Sequence, residues 1–319
     1  MEKVLILGFS VTAETPGFVE QAGKLIGDGA AMTLRKVGLG GLQPYHMRHL
    51  LSEILDDVNP DTIIAEFATP GFRKFGRHPA DHQNTLATLI NACADRGIAL
   101  ALLDLPRTDV DAQTDWLFAM HKEFCATNGL PYLCIPDGDG LLRDVVHPNS
   151  EGVAVYARAL ADFLEHPRVT PGPDRKRPVA LFSAIHVSEH VPGRGDRLST
   201  FSRSGYSVEM TPISVGETIS LTIPAGMDLC GFTYLMGPRS GIVQYTDGHE
   251  DRRLRCYDQF CYYERLGAQI IDPVSWDTIS MTQLPDLPDT PLLKGEADTS
   301  DRIGQLGHLL TTGNTPSFD

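Results

Sequence analysis

Asp144 and His147 stand three positions apart in the stretch Arg143-Asp144-Val145-Val146-His147-Pro148-Asn149. A carboxylate at that spacing can fix the tautomer of an imidazole and stabilise its protonated form. Such a histidine is the usual means of activating a hydroxyl, which is a weak nucleophile until its proton is taken. The hydroxyl best placed for this is Ser10. It follows Val4-Leu5-Ile6-Leu7, four apolar residues in a row that suit a strand buried on both faces of a parallel sheet. Gly8 breaks the run. Ligands of open α/β sheets sit beyond the carboxyl ends of the strands, so Ser10 stands where chemistry happens. The chemistry these types and spacings predict is attack by Ser10, with His147 as base and then acid and Asp144 as its orienting group. Each residue also has a plainer use. Ser10 suits a helix cap, His147 a turn before a helix with Asn149 or Ser150 as cap, and Asp144 a salt bridge to Arg143.

Gly8-Phe9-Ser10-Val11-Thr12 and Asp144-Val145-Val146-His147-Pro148-Asn149, at the two ends of one α/β region, resemble the SGNH (GDSL-type) hydrolase family. Val37-Gly38-Leu39-Gly40-Gly41 resembles the second block of that family, and the resemblance implies that Gly41 gives an oxyanion hole its backbone N–H beside that of Ser10. The third block, Gly-x-Asn-Asp, falls on Ala68-Thr69-Pro70-Gly71, where the asparagine donor is missing and Pro70 has no N–H. Phe9 also stands where aspartate is usual. Thr69, Arg73, His82 and Asn84 lie near in sequence and are the candidates to replace the donor or bind substrate. The resemblance covers half of the chain, and Asp-x-x-His-Pro-Asn is its most specific part. It implies a serine esterase acting on small acyl esters, often O-acetyl groups of carbohydrates, with no cofactor and no metal. An acyltransferase would use the same residues. The broken third block leaves a further reading, a catalytically impaired scaffold that binds glycans.

The elements that must position these residues alternate. Strand-like runs at 4–7, 32–37, 62–67, 98–105 and 132–135 are separated by helical patterns at 17–26, 45–58, 81–96 and 112–128, and a helix from 150 to 164 follows. This predicts a doubly wound, largely parallel, flavodoxin-like sheet over residues 1–167. A Pro- and Arg-rich stretch, 168–178, reads as a linker. From 179 to 284 short strand-like runs are divided by turn signals such as Pro224-Ala-Gly and Asp247-Gly248, which predicts an antiparallel, jelly-roll-like β-sandwich. Residues 285–319, rich in Pro, Asp, Thr and Gly, are expected to be extended or disordered, or packed across a neighbour. The β region or this tail would then make any homo-oligomer. An appended β region also makes a glycan or glycoconjugate substrate the expectation, by analogy.

Other clusters carry less. Gly38-Leu39-Gly40-Gly41-Leu42-Gln43 lacks the last glycine of a dinucleotide fingerprint. Asp137-Gly138-Asp139-Gly140 lacks the spacing of a calcium loop. His186-x-x-x-His190 and His46-x-x-His49 offer two ligands each, where zinc needs three or four. Cys256 and Cys261 lack a Cys-x-x-Cys spacing. The aromatic run 257–263 could stack a sugar, and reads more simply as alternating faces of a strand. The 319 residues carry a net charge of -14, which argues against nucleic acid or an anionic membrane as partner. With no leader pattern, no membrane-spanning run and six scattered cysteines, a cytoplasmic protein is expected.

Overall fold

The computed structural model describes residues 1–27, 29, 31–75, 79–191, 197–286 and 289–313. Gly76, part of the loop expected after the third strand, and the last six residues of the tail lie outside them. Contacts divide the chain into two compact units, Met1–Val179 with Ser204–Tyr206, and Ala180–Arg203 with Ser207–Asp319.

The first unit is built from β1 (Glu2–Gly8), α1 (Ser10–Ala13), α2 (Phe18–Ile26), β2 (Met32–Gly38), α3 (Pro44–Val58), β3 (Thr62–Glu66), α4 (Pro79–Arg96), β4 (Ala99–Asp104), α5 (Trp116–Asn128), β5 (Tyr132–Cys134) and α6 (Ser150–Phe163). The strands lie in the order β2-β1-β3-β4-β5 and every pair is parallel. This is the flavodoxin-like order, whose switch point lies between β1 and β3. Both faces of the central strands β1, β3 and β4 are covered, so their middles are apolar, while the edge strand β2 keeps Thr33, Arg35 and Lys36. Val4, Ile6, Ile64, Ala101 and Leu103 pack with Phe18 and Val19 of α2 and Tyr156 and Leu160 of α6. Leu5, Leu7, Ile63, Leu100 and Leu102 alternate with them and are equally buried on the opposite face. Each fully buried side chain of this size contributes about 1.5–3 kcal/mol.

The stretch expected to be a linker is instead held on the first unit. Val169 accepts the Leu100 amide at 2.9 Å. Arg168 pairs with Glu2 at 2.9 Å, and the Asn91 side chain bridges both backbone groups of Arg177. Its proline content made it irregular, and specific polar partners far away in sequence made it ordered.

The second unit contains β6 (Leu181–His186), a short α7 (Val187–His190), β7 (Ser199–Arg203), β8 (Tyr206–Ser214), β9 (Thr218–Thr222), β10 (Met227–Met236), β11 (Ile242–Thr246), β12 (Asp251–Arg255), β13 (Arg265–Val274), β14 (Thr278–Gln283) and β15 (Ile303–Gly313). One sheet runs β13-β10-β15-β8-β7, with β6 also on β15; the other runs β12-β11-β14-β9. β10 with β13, β15 with β10, β8 and β6, β11 with β12 and β14, and β14 with β9 all pair antiparallel, and Phe232, Leu306 and Leu309 of one sheet share a core with Val243, Ile219, Ile279 and Met281 of the other. Two expectations are corrected here. The tail is not disordered over 303–313, where β15 pairs with three strands. The aromatic run 257–263 is a loop rather than a strand, because Asp258 turns it, accepting the Phe260 amide at 2.8 Å and pairing with Arg265. Among the described residues, no helix is long and apolar enough to cross a membrane.

Candidate active site

Ser10 opens α1 directly after β1, at the carboxyl end of the sheet. The Asp–His loop returns to the same end. It is a tight antiparallel excursion: Leu142 bridges Pro148, the Arg143 amide donates to His147 O at 2.9 Å, and the Asn149 amide donates to Leu141 O at 2.8 Å. Asn149 then caps α6, its side-chain oxygen accepting the amides of Glu151 and Gly152 at 3.0 and 2.9 Å. Two further ties set the loop's place. The Thr108 amide, after β4, donates to Val145 O at 3.0 Å. Arg143 donates to Pro148 O and pairs with Glu14, one residue beyond α1. Arg143 therefore joins the loop to the segment that carries Ser10, and leaves Asp144 to His147.

The side chains meet. His147 Nε2 lies 3.0 Å from Ser10 Oγ, and His147 Nδ1 lies 3.0 and 3.1 Å from the two Asp144 oxygens. With Nδ1–H donating to the carboxylate, Nε2 keeps its lone pair for the serine proton. Asp144 Oδ1 also accepts the amides of Val146 and His147 at 2.9 and 2.8 Å. Partial burial works to raise its pKa. The two amides and the His147 ring outweigh it and hold the carboxyl below its ordinary value. The Asp144 side chain is 49% exposed, so the pair orients the ring more than it stabilises the fold.

The second-block loop passes beside the nucleophile. A methyl group placed on Gly40 would lie 3.8 Å from the Ser10 Cα, and Gly41 takes φ +91°, a left-handed conformation that glycine adopts without strain. The third-block turn differs from expectation. Thr69 is buried and gives both its amide and its hydroxyl to Glu66, each at 2.9 Å. Arg73 is held below the turn, donating to Ala68 O at 2.8 Å and pairing with Asp115 at 3.2 Å. His82 is buried too; its Nε2 is 2.7 Å from His121 Nε2, and His121 Nδ1 is 2.7 Å from Asp104, which also accepts the Tyr132 hydroxyl at 2.7 Å. Thr69, Arg73 and His82 are thus interior framework, not groups offered to substrate. Asn84 is exposed on α4, where its carbonyl accepts the Thr88 hydroxyl. With the Thr69 amide turned inward and no N–H on Pro70, neither residue supplies the missing oxyanion donor.

No protein-family model matches the chain, and no curated protein matches it. Solved structures do. A two-domain esterase (CEX) active on acetylated mannans aligns over 99% of this chain and 92% of its own, with TM-score 0.68 and 14% identity. The same esterase co-crystallised with mannopentaose gives 0.64 and 13% over the same shares. An acetyl xylan esterase, AlAXEase, aligns over 50% of this chain and 98% of its own, with TM-score 0.44 and 15% identity. At these identities the likeness is one of fold. It covers both units.

Proposed function

We propose that the chain is a serine esterase that removes small acyl groups, acetyl foremost, from a carbohydrate or glycoconjugate. The observation that carries this reading is the continuous hydrogen-bonded series from Asp144 through His147 to Ser10. Ser10 Oγ attacks the ester carbonyl as its proton passes to His147 Nε2. The oxyanion that forms is held by the backbone N–H groups of Ser10 and Gly41. His147 then returns the proton to the departing sugar oxygen. Water, deprotonated by the same nitrogen, cleaves the acyl-serine and releases the acid.

The choice of substrate draws on two supports. The structure aligned over nearly the whole chain is that of an esterase active on acetylated mannans. At the carboxyl ends of β4 and β5, beside the Asp–His loop, a cleft of about 400 Å³ is lined by polar residues including Thr108, Asp111, Gln113 and Asp137, which suits a hydroxyl-rich leaving group better than an acyl chain. A larger groove of about 660 Å³ runs along β2 past Lys3 and Arg35, toward the amino end of the sheet, and serves no step of this reaction. All six cysteines are free, which supports a reducing, cytoplasmic setting. Ser10→Ala tests the reading. Hydrolysis of a chromogenic acetate ester should fall by about a thousandfold or more with an unchanged thermal midpoint. Retained activity would sink it.

A further inference from the structure

The last residue of β3, Glu66, is completely buried. A carboxylate in such a place is costly unless hydrogen bonds satisfy it, and an apolar residue would fill the space more cheaply. Its hydrogen-bond partners all belong to the turn that follows β3. Oε1 accepts the Thr69 amide and Oε2 the Thr69 hydroxyl, each at 2.9 Å, and the Ala68 amide adds a third donor. Across the sheet lies Gly8, two residues before Ser10. A methyl group there would meet Glu66 Oε2 at 3.1 Å and Thr12 Oγ1 at 2.2 Å, so only glycine lets the strand close over this pair. Thr12 sits in α1 behind the nucleophile. Its hydroxyl and that of Tyr156 from α6 are buried without a hydrogen-bond partner among the described residues. Asp104, at the end of β4, is the other carboxylate whose charge is felt at Glu66.

We propose that Glu66 is a positioning residue of the reaction: its carboxylate ties down the turn after β3 and backs the turn that carries Ser10, in a site whose third block has lost its asparagine. This rests on the serine-esterase reading above. Only the ionised form accepts from every donor around it. Once protonated, one oxygen becomes a donor, and the Thr69 hydroxyl must turn from donor to acceptor to keep its bond, leaving a weaker neutral pair. Burial pushes the carboxyl up, the Thr69 amide and hydroxyl pull it down, and Asp104 pushes it up again, leaving it at about 7. The charge-assisted tie therefore holds above that pH and is weakened below it.

The test is the pH profile of kcat/KM on a chromogenic acetate ester, from pH 5 to 9, for the full chain. The parent's kcat/KM divided by that of Glu66→Gln cancels every other ionisation, and should fall from about tenfold at pH 8 to 9 toward one at pH 5. Glu66→Gln should lower kcat at pH 8 by about tenfold, with KM nearly unchanged. Thr69→Val keeps shape but removes one donor to the charged form. It should keep the Glu66 ionisation and move it to higher pH. A parent-to-Glu66→Gln ratio that does not change with pH, or an unmoved profile in Thr69→Val, would overturn the proposal. If Glu66→Gln fails to fold, by its melting curve, Thr69→Val decides alone. An active Ser10→Ala variant would instead signal failure of the esterase reading itself.

Discussion

His147 has one ring nitrogen for each neighbour, and the contact with Asp144 decides which of them holds the proton. In Asp144→Asn the side-chain oxygen can still accept the amides of Val146 and His147, so the loop should keep its shape. The amide nitrogen, however, would face Nδ1 as a donor and favour the tautomer that turns Nε2 into a donor toward Ser10. Kcat should fall by about a hundred- to a thousandfold, less than in a fully enclosed site because water reaches this half-exposed carboxylate. Asp144→Ala should lose the turn as well, and a lower melting temperature would separate the two variants. Equal rates for Asp144→Asn and the parent would remove Asp144 from the mechanism. Because Asp144 is held below the ordinary carboxylate value, it stays charged through the working range. An acid limb near neutrality belongs to other groups. At this scale the sequence was readable where partners are close: Asp144 and His147 are three residues apart. It was opaque for Thr69, Arg73 and His82, whose roles depend on whether Glu66, Asp115 and His121 arrive beside them. Polar residues after a strand look the same whether they face a substrate or a buried acid.

At the scale of elements, the site is an arrangement of two turns at one end of the sheet. The turn after β1 carries Ser10, and the 141–149 loop before α6 carries its partners. Arg143 links them through Glu14 and Pro148 O. Arg143→Ala removes an ion pair whose arginine is half-exposed, so stability should change by about 1 kcal/mol. The rate should change more. A loop free to move relative to Ser10 loses the 3.0 Å contact for part of the time, and kcat should drop by about tenfold with little effect on KM. A fall in melting temperature matching the loss of rate would mean Arg143 serves folding alone. The alternation of strands and helices was legible throughout the first unit because strands buried on both faces are almost wholly apolar. The run 168–178 and the loop 257–263 were not. In each, composition gave one answer and a few distant polar contacts imposed another.

At the scale of the molecule, the last described strand holds the second unit together. β15 pairs with β10 along one edge, and with β8 and then β6 along the other. Its sequence, Ile303-Gly-Gln-Leu-Gly-His-Leu-Leu-Thr-Thr-Gly, hides this. Three glycines dilute the strand pattern, and a long polar stretch precedes it. The structure gives a reason for Gly307: a methyl group there would meet Thr233 Oγ1 at 2.7 Å on the neighbouring strand. Arg302, 2% exposed, leads the chain into β15 by donating to Pro238 O and Ser300 O at 2.8 and 3.0 Å. Leu306, Leu309 and Leu310 are fully buried, and together they contribute roughly 5–9 kcal/mol. That is comparable to the whole stability of an ordinary domain, before the ladders of three strands are counted. A chain ended at Asp301 should therefore lose the sandwich. Limited proteolysis should trim it to a resistant fragment ending near Val179, where the first unit's packing stops, while the full chain stays resistant well beyond that point. If the shortened chain resists digestion as the parent does, β15 is an addition to a sandwich that folds without it, and the place assigned here to the end of the chain is wrong.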